Sequence, residues 1–182
     1  GVSVESGIAP FRGPGGVWTR HDPKLFDKNY FRSNPKDSWK LLKKLFYDGI
    51  GRAKPNAGHE ALARLETAGF LHAVITQNID GLHQAAGSKT VLEYHGTLST
   101  MQCMRCRERF ESEGVSLDSL PPLCPHCGGV LKPDIVFFSE PIDYDIHKTA
   151  MEHAAQCDAC IVVGASGEVM PAGRIPFIAL NA

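Results

Sequence analysis

The stretch VITQNIDGLHQAAG, Val74 to Gly87, sets a β-branched run against a polar tip. Ala73-Val74-Ile75-Thr76 predicts a buried strand, because β-branched side chains pack well on a pleated surface. The run stops at Gln77, Asn78 and Asp80, with Gly81 and His83 close behind. Ile79 to Ala86 reads as the start of a helix, and Val91-Leu92-Glu93-Tyr94 as the next strand. Strands alternating with helices imply a parallel α/β sheet, which binds its ligands at the carboxyl ends of the strands.

The same alternation extends outward. Residues 1–20 read as a Gly-rich loop. Asn34-Pro35-Lys36-Asp37-Ser38 announces a helix with proline in its first turn. Trp39, Leu42, Leu45 and Phe46 form its apolar stripe, and Gly49 and Gly51 stop it. A second helix follows Pro55, with Leu62, Leu65 and neighbouring alanines on one face and Gly69 at its end. Beyond Val91–Tyr94, Ile135-Val136-Phe137-Phe138 predicts a strand, residues 146–156 a helix, and Cys160-Ile161-Val162-Val163 a buried strand ending in Gly164-Ala165-Ser166-Gly167. Pro171 can open a last helix, and Leu180-Asn181-Ala182 reads as the tip of a strand.

The chain has 182 residues, 43% of them hydrophobic, which suits one domain with an insertion. A formal net charge of −1 recruits neither nucleic acid nor an anionic membrane. No apolar run reaches the length of a bilayer span, and no signal peptide opens the sequence, so the expectation is a cytoplasmic protein.

Residues 101–132 differ in character, being charged and Cys-rich. Cys103-x2-Cys106 and Cys124-x2-Cys127 aim four thiolates at one centre, which satisfies Zn2+ with no position left for water. The site is therefore read as structural. His126 lies between the second pair and is expected to be exposed or hydrogen-bonded to a sulfur. Cys157-x2-Cys160 repeats the spacing beside a strand-like run, and is read as two buried, inert thiols.

Gly1 to Gly13, GVSVESGIAPFRG, is a small-residue loop whose backbone can approach a phosphate, with Arg12 as a cation. Its glycine pattern is not that of a known phosphate fingerprint. Gly164–Gly167, directly after a strand, is a second ligand-facing turn. His95, at a strand tip before Gly96, is suited to take a proton near neutral pH.

Together these pieces resemble the sirtuins, NAD-dependent protein lysine deacylases. The family's signatures resemble Gly1-Val2-Ser3 with Ser6-Gly7-Ile8 and Phe11-Arg12-Gly13, and Thr76-Gln77-Asn78-Ile79-Asp80 followed by Leu82-His83. They also resemble His95-Gly96, the four cysteines, Gly15-Gly16-Val17-Trp18, Pro55-Asn56 with His59, Val136-Phe137-Phe138 with Glu140, and Gly164-Ala165-Ser166 with Val169 and Pro171-Ala172. The matches run in family order over nearly the whole chain.

The resemblance implies a Rossmann-like NAD-binding domain, residues 1–100 and 133–182, with an inserted zinc-ribbon module, residues 101–132. It implies NAD and Zn2+ as cofactors and acetylated proteins as substrates. Asp80, aided by the Ile79 backbone, would accept from the nicotinamide carboxamide. Asn78 would orient a water or the ribose, Gln77 would bond a ribose hydroxyl, and Gly1, Ser3, Gly164, Ser166 and Asn181 would complete the cofactor site. The acyl-lysine oxygen would attack C1′ and nicotinamide would leave; His95 would then act as general base on a ribose hydroxyl, which attacks the imidate carbon, and water would release lysine and O-acetyl-ADP-ribose. Phe11 would shield the intermediate and Arg12 would organise the site. Val136, Phe137, Phe138, Glu168 and Val169, with His95, would meet the peptide.

The departures are local. Ala9-Pro10 replaces the family's Pro-Thr, and Ser139 stands where glycine is usual. The family's Gly-Ala and strand before Gly1 are not in this sequence, and residues are expected to be missing between Ala179 and Leu180 and after Ala182. Tyr47 is followed by Ile50 and Arg52 rather than by the Tyr-x-x-Arg pattern of desuccinylases, which favours plain deacetylation. Two rivals are a non-catalytic zinc-ribbon binding module, supported by Arg105, Arg107 and Arg109, and a protein mono-ADP-ribosyltransferase.

Overall fold

A computed structural model describes residues 1–13, 15–49 and 53–181. Gly51, Ile50 and Arg52, and with them the acyl-preference pattern and one proposed helix stop, lie outside the described residues. The expected α/β architecture is present: helices surround a parallel strand pair, and a small antiparallel sheet carries the cysteines.

Two short helices open the helical layer. In α1, Lys28–Ser33, the Asp27 carboxylate accepts from the Asn29 and Tyr30 amides, satisfying two of the first-turn donors. In α2, Pro35–Leu42, proline occupies the first turn and Trp39 and Leu42 are fully buried. A π-helical turn, Lys43–Tyr47, continues it and buries Phe46. The Trp39 indole donates to the Leu131 carbonyl at 2.8 Å, joining this layer to the cysteine-bearing sheet. In α3, Ala57–Thr67, the buried face is His59 and Ala63, and Leu65 is 37% exposed, so the leucine face expected from the sequence is not the buried one. Gly69, at φ +79°, ends this segment as expected.

The opening stretch folds as read. β1, Val74–Thr76, pairs in parallel with β2, Val91–Glu93, through Val74↔Val91, Ile75↔Leu92 and Thr76↔Glu93. The helix between them, α4, is only Leu82–Ala85, because Gly81 at φ +69° delays its start. β3, Gly96–Cys103, is the centre of the antiparallel sheet, flanked by β4, Arg109–Glu111, and β5, Leu131–Ile135. The remaining helices, α5, Tyr144–Gln156, and α6, Ile175–Leu180, pack on the β1–β2 side with Tyr94, Ala150, Ala154 and Ile175.

Four expectations are corrected. Residues 1–20 contain two 3-10 turns, Val2–Ser6 and Val17–Thr19, too short to leave a periodic apolar signature. β5 ends at Ile135; the Val136 and Phe138 amides bond the carbonyls of His95 and of Phe26, which closes a 3-10 turn, and Phe138 forms only an isolated bridge with Asp27. Cys160–Val163 is neither strand nor buried: Ile161 is 67% exposed, and no strand among the described residues lies alongside it. A β-branched run becomes a strand only when a neighbour takes its hydrogen bonds. Leu180 and Asn181 close a helix, not a strand, and Asn181 donates to the Phe177 carbonyl.

Candidate active site and metal centre

One crevice of about 1510 Å3 runs between the carboxyl ends of β1 and β2, the Gly1–Gly13 loop, the Val136–Phe138 segment and the Gly164–Gly167 turn. Gly1, Ser3, Phe11, Arg12, Gln77, Asn78, Ile79, Asp80, His95, Val136, Phe137, Phe138, Gly164, Ser166 and Val169 all line it. Glu168 does not; it reaches Arg12 across the lip at 3.4 Å, with both side chains exposed. Asn181 lies apart, in a small depression with Ala155, Arg174, Phe177 and Ile178.

The polar tip of β1 is organised by three partners that sequence reading did not connect. The Asn56 amide donates to His59 Nδ1, so the ring proton sits on Nε2, which faces Ser3 Oγ at 3.3 Å. Ser3 in turn donates to Asp80 Oδ2 at 2.7 Å. The Asn78 amide donates to Ser3 Oγ at 2.9 Å and to Asp80 Oδ2 at 3.2 Å, while the Leu82 amide donates to Asp80 Oδ1. Asp80 is thereby held in one orientation at the crevice wall. The spacing Asn56-x-x-His59, a capping box with histidine in the acidic position, is the signal that could have exposed this chain of bonds. His83 stands 4.8 Å from the His59 ring, and its buried Nδ1 has no partner among the described residues.

Two loops meet through glycine. A Cβ on Gly1 would strike the Gly164 backbone, and one on Gly164 would strike Val2 and Gly1, so both glycine-rich loops can share the crevice only without side chains. Phe11 is 38% exposed and packs on Trp18 and Phe46, with centroids 5.3 and 6.1 Å away. It forms part of an aromatic wall that continues from Trp18 to Phe138 at 5.8 Å.

His95 is fixed by its neighbour. Gly96 has φ +78°, and a Cβ there would overlap the Asp134 carbonyl oxygen. Gly96→Ala is expected to cost roughly 2–4 kcal/mol from strain and clash together. Thermal denaturation by circular dichroism checks this, and an unchanged Tm would contradict it.

Burial is the largest influence on His59, His83 and His95, and holds each below the ordinary imidazole value of 6.5. Asp80 opposes it at His59; His59 reinforces it at His83; a bond to the Gln77 backbone opposes it at His95. All three rings are therefore neutral at pH 7. The unfolded chain binds protons at higher pH than the folded one, so this stability is complete above pH 6.5 and lost as pH falls through the lower folded values. Urea midpoints measured at pH 7.5 and 5.5 should show the loss; equal midpoints would contradict it.

The four cysteines converge at the far end of the antiparallel sheet. All their sulfurs lie within 4.8 Å of one another, with Cys103–Cys127 at 3.5 Å and Cys106–Cys124 at 3.7 Å. A tetrahedron with zinc–sulfur bonds of about 2.3 Å has edges near 3.8 Å, so this set fits Zn2+. The Arg105 and Cys106 amides donate to Cys103 Sγ and the Gly129 amide to Cys127 Sγ, stabilising thiolates. A Cβ on Gly129 would press on Cys103 Sγ at 2.8 Å and Cys127 Sγ at 3.3 Å. Gly129→Ala is accordingly expected to weaken zinc retention by roughly tenfold or more, as outer-shell changes do; competition with a zinc chromophore reads this directly.

Smaller readings change here. His126 is exposed, as expected, and bonds Glu108 at 2.7 Å rather than a sulfur. Cys160 is exposed and Cys157 only half-buried, because the segment holding them lacks a strand neighbour. Arg105 donates to the Cys127 carbonyl and Arg109 pairs with Asp134 at 3.2 Å, so two of the three arginines that supported the rival binding module have partners within the chain. No helix among the described residues is long and apolar enough to cross a membrane.

Comparison with known proteins agrees with this geometry. The model of the Sir2 family matches residues 1–171. The NAD-dependent protein deacylase of Aeropyrum pernix is 46% identical over 180 residues, which cover 98% of this chain and 73% of that protein. The NAD-dependent protein deacetylase of Thermotoga maritima is 40% identical over 184 residues, covering 100% of this chain and 74% of that protein. A solved Sir2 complex with a deacetylated p53 peptide and 3′-O-acetyl ADP ribose superimposes with a TM-score of 0.94 at 38% identity, covering 99% of this chain and 74% of that one.

Proposed function

Because the chain belongs to the Sir2 family, we infer that it is an NAD-dependent protein lysine deacetylase. It moves the acetyl group of an acetyl-lysine to ADP-ribose and releases nicotinamide and O-acetyl-ADP-ribose. The observation that carries this reading is the single crevice shared by the Asp80 cluster and His95. A crevice of that size, at strand carboxyl ends, with a fixed carboxylate on one wall and an imidazole on another, suits a dinucleotide and a reacting acyl group together.

NAD supplies the nicotinamide–ribose bond that is broken and the ribose hydroxyl that receives the acetyl group. The chain's own residues do the following. Asp80, immobilised by Ser3, Asn78 and the Leu82 amide, accepts from the carboxamide, and its rigidity keeps that interaction from costing reorganisation. His83, with a buried nitrogen that lacks a partner among the described residues, lies in the same wall. The apposed Gly1 and Gly164 backbones let the loops bearing Ser3 and Ser166 approach the phosphates and ribose. Gln77 offers its amide to hydroxyls, and Asn78, whose NH2 is engaged by Ser3 and Asp80, offers its carbonyl oxygen. His95, neutral at pH 7, takes the proton from a ribose hydroxyl on a ring nitrogen. Phe11 and its aromatic neighbours exclude water, and Arg12 anchors that loop through Glu168. Val136–Phe138 and Val169 receive the peptide.

The cysteine set takes no part in the chemistry, since four thiolates leave zinc no open position. It holds residues 101–132 against the rest, through Trp39 and the buried Cys103 and Cys124. An acetyl-lysine peptide incubated with the protein should lose the acetyl mass only when NAD is present. Loss without NAD, or no loss with it, overturns the reading.

A further inference from the structure

Lys132 and Glu140 form an ion pair away from solvent: Nζ to Oε2 is 3.0 Å, and the side chains are 15% and 18% exposed. Lys132 Nζ also donates to the Ile135 carbonyl at 2.8 Å and the Pro133 carbonyl at 3.2 Å, so all three ammonium protons are used. The same nitrogen lies 4.3 Å from the centroid of the Phe137 ring. Glu140 completes the loop: its Oε2 accepts from the Phe137 amide at 2.9 Å, and its own amide donates to the Phe137 carbonyl at 3.0 Å. The chain from Pro133 to Glu140 is thus wrapped around one ammonium group. On its outer edges the wrapped segment is bonded to the rest of the site, Val136 amide to the His95 carbonyl and Phe138 amide to the Phe26 carbonyl, each at 2.9 Å.

A buried ion pair is a poor choice for stability, because an apolar pair of similar volume does as well or better. What it supplies is geometry: a charge in a dry place tolerates few arrangements of its acceptors. The segment held in this way is the one read as facing the substrate. Extended peptide-binding segments need their backbone held still in advance, since ordering it on binding subtracts from affinity.

We propose that Lys132 and Glu140 are positioning residues for the acylated peptide: their pair locks Val136–Phe138 into the extended form that receives it and keys that segment to His95. The proposal rests on the reading of Val136–Phe138 as the peptide-binding segment.

The test uses the full chain carrying Lys132→Met with Glu140→Leu, which removes both charges and leaves neither one buried alone. Hydrogen exchange is followed at the Val136, Phe137 and Phe138 amides and, as an internal control, at Met101–Cys103. Steady-state kinetics are measured with NAD and an acetyl-lysine peptide. Expected are exchange at least tenfold faster at the three amides with the control unchanged, and a peptide KM raised tenfold or more while KM for NAD stays within twofold. Unchanged exchange in the folded double variant overturns the proposal, as does an unchanged peptide KM or an equal rise in both KM values. Where the double variant does not fold, Glu140→Gln decides by the same readouts, since it keeps an acceptor for the Phe137 amide and removes only the charge. Absence of turnover in the wild-type chain would sink the deacetylase reading, while the exchange measurement still tells whether the pair holds the segment.

Discussion

His95→Ala is expected to lower deacetylation by roughly 10²–10⁴-fold, the usual contribution of a positioned general base, with the fold intact. The size follows from chemistry: the imidazoles near the Asp80 cluster are engaged or buried, and His147, which also lines the crevice, is bonded to the Tyr94 hydroxyl. His59 is committed to the Asn56 amide and Ser3, and His83 is buried to 4% exposure beside it. The fold should survive because Gly96, not the His95 side chain, makes the close backbone crossing at Asp134. The check is turnover of an acetyl-lysine peptide alongside a circular dichroism melt. The pH profile carries a second consequence. Burial, opposed by a bond to the Gln77 backbone, keeps the His95 pKa below 6.5, so the rate should be flat at neutral pH and fall only in more acid solution. A profile falling already between pH 8 and 7 would point to a different base.

Removal of zinc is expected to act on the whole molecule. Structural zinc sites contribute about 10–16 kcal/mol in small metal-dependent peptides, comparable to the entire stability of an ordinary domain, about 5–15 kcal/mol. Cys103 and Cys124 belong to the same core as Phe31, Trp39, Leu42 and Phe137, and the Trp39 indole is bonded to Leu131 on the third strand of the cysteine sheet. Loss of the metal therefore loosens the sheet, the helix packed on it and, through Ile135, the approach to Val136–Phe138. Chelation, or Cys124→Ser, should abolish the cooperative thermal transition of the antiparallel sheet and lower turnover at least tenfold, with recovery when zinc is restored to the chelated wild type. Full activity after verified zinc loss would contradict the structural role.

Much of this was legible because the informative residues are local in sequence. The run Val74–Thr76 with its polar tip contains strand, turn and ligand-facing residues within a few positions, and a Cys-x2-Cys pair carries its own geometry. The Asn34–Pro35 helix start and the Gly69 stop were readable for the same reason. What escaped depends on partners far along the chain. Cys160–Val163 has every compositional mark of a buried strand, yet strand formation is a property of a pair, and among the described residues that partner is missing. The bond from His59 through Ser3 to Asp80 spans residues 3 to 80 and has no signature beyond a capping pattern. Ser139 is instructive in between. Its φ of +67° explains why glycine suits the position, and only the structure shows its hydroxyl donating to Asp27 at 2.7 Å, a bond glycine could not make.

Deacetylation by this chain requires two walls of one cavity to act on the same NAD molecule. The most direct measurement is product stoichiometry by mass spectrometry, with the wild-type chain, NAD and an acetyl-lysine peptide. One nicotinamide and one O-acetyl-ADP-ribose per lysine freed is the predicted result. Free acetate appearing with NAD unconsumed, or ADP-ribose appearing on the peptide with its acetyl group still in place, would contradict it.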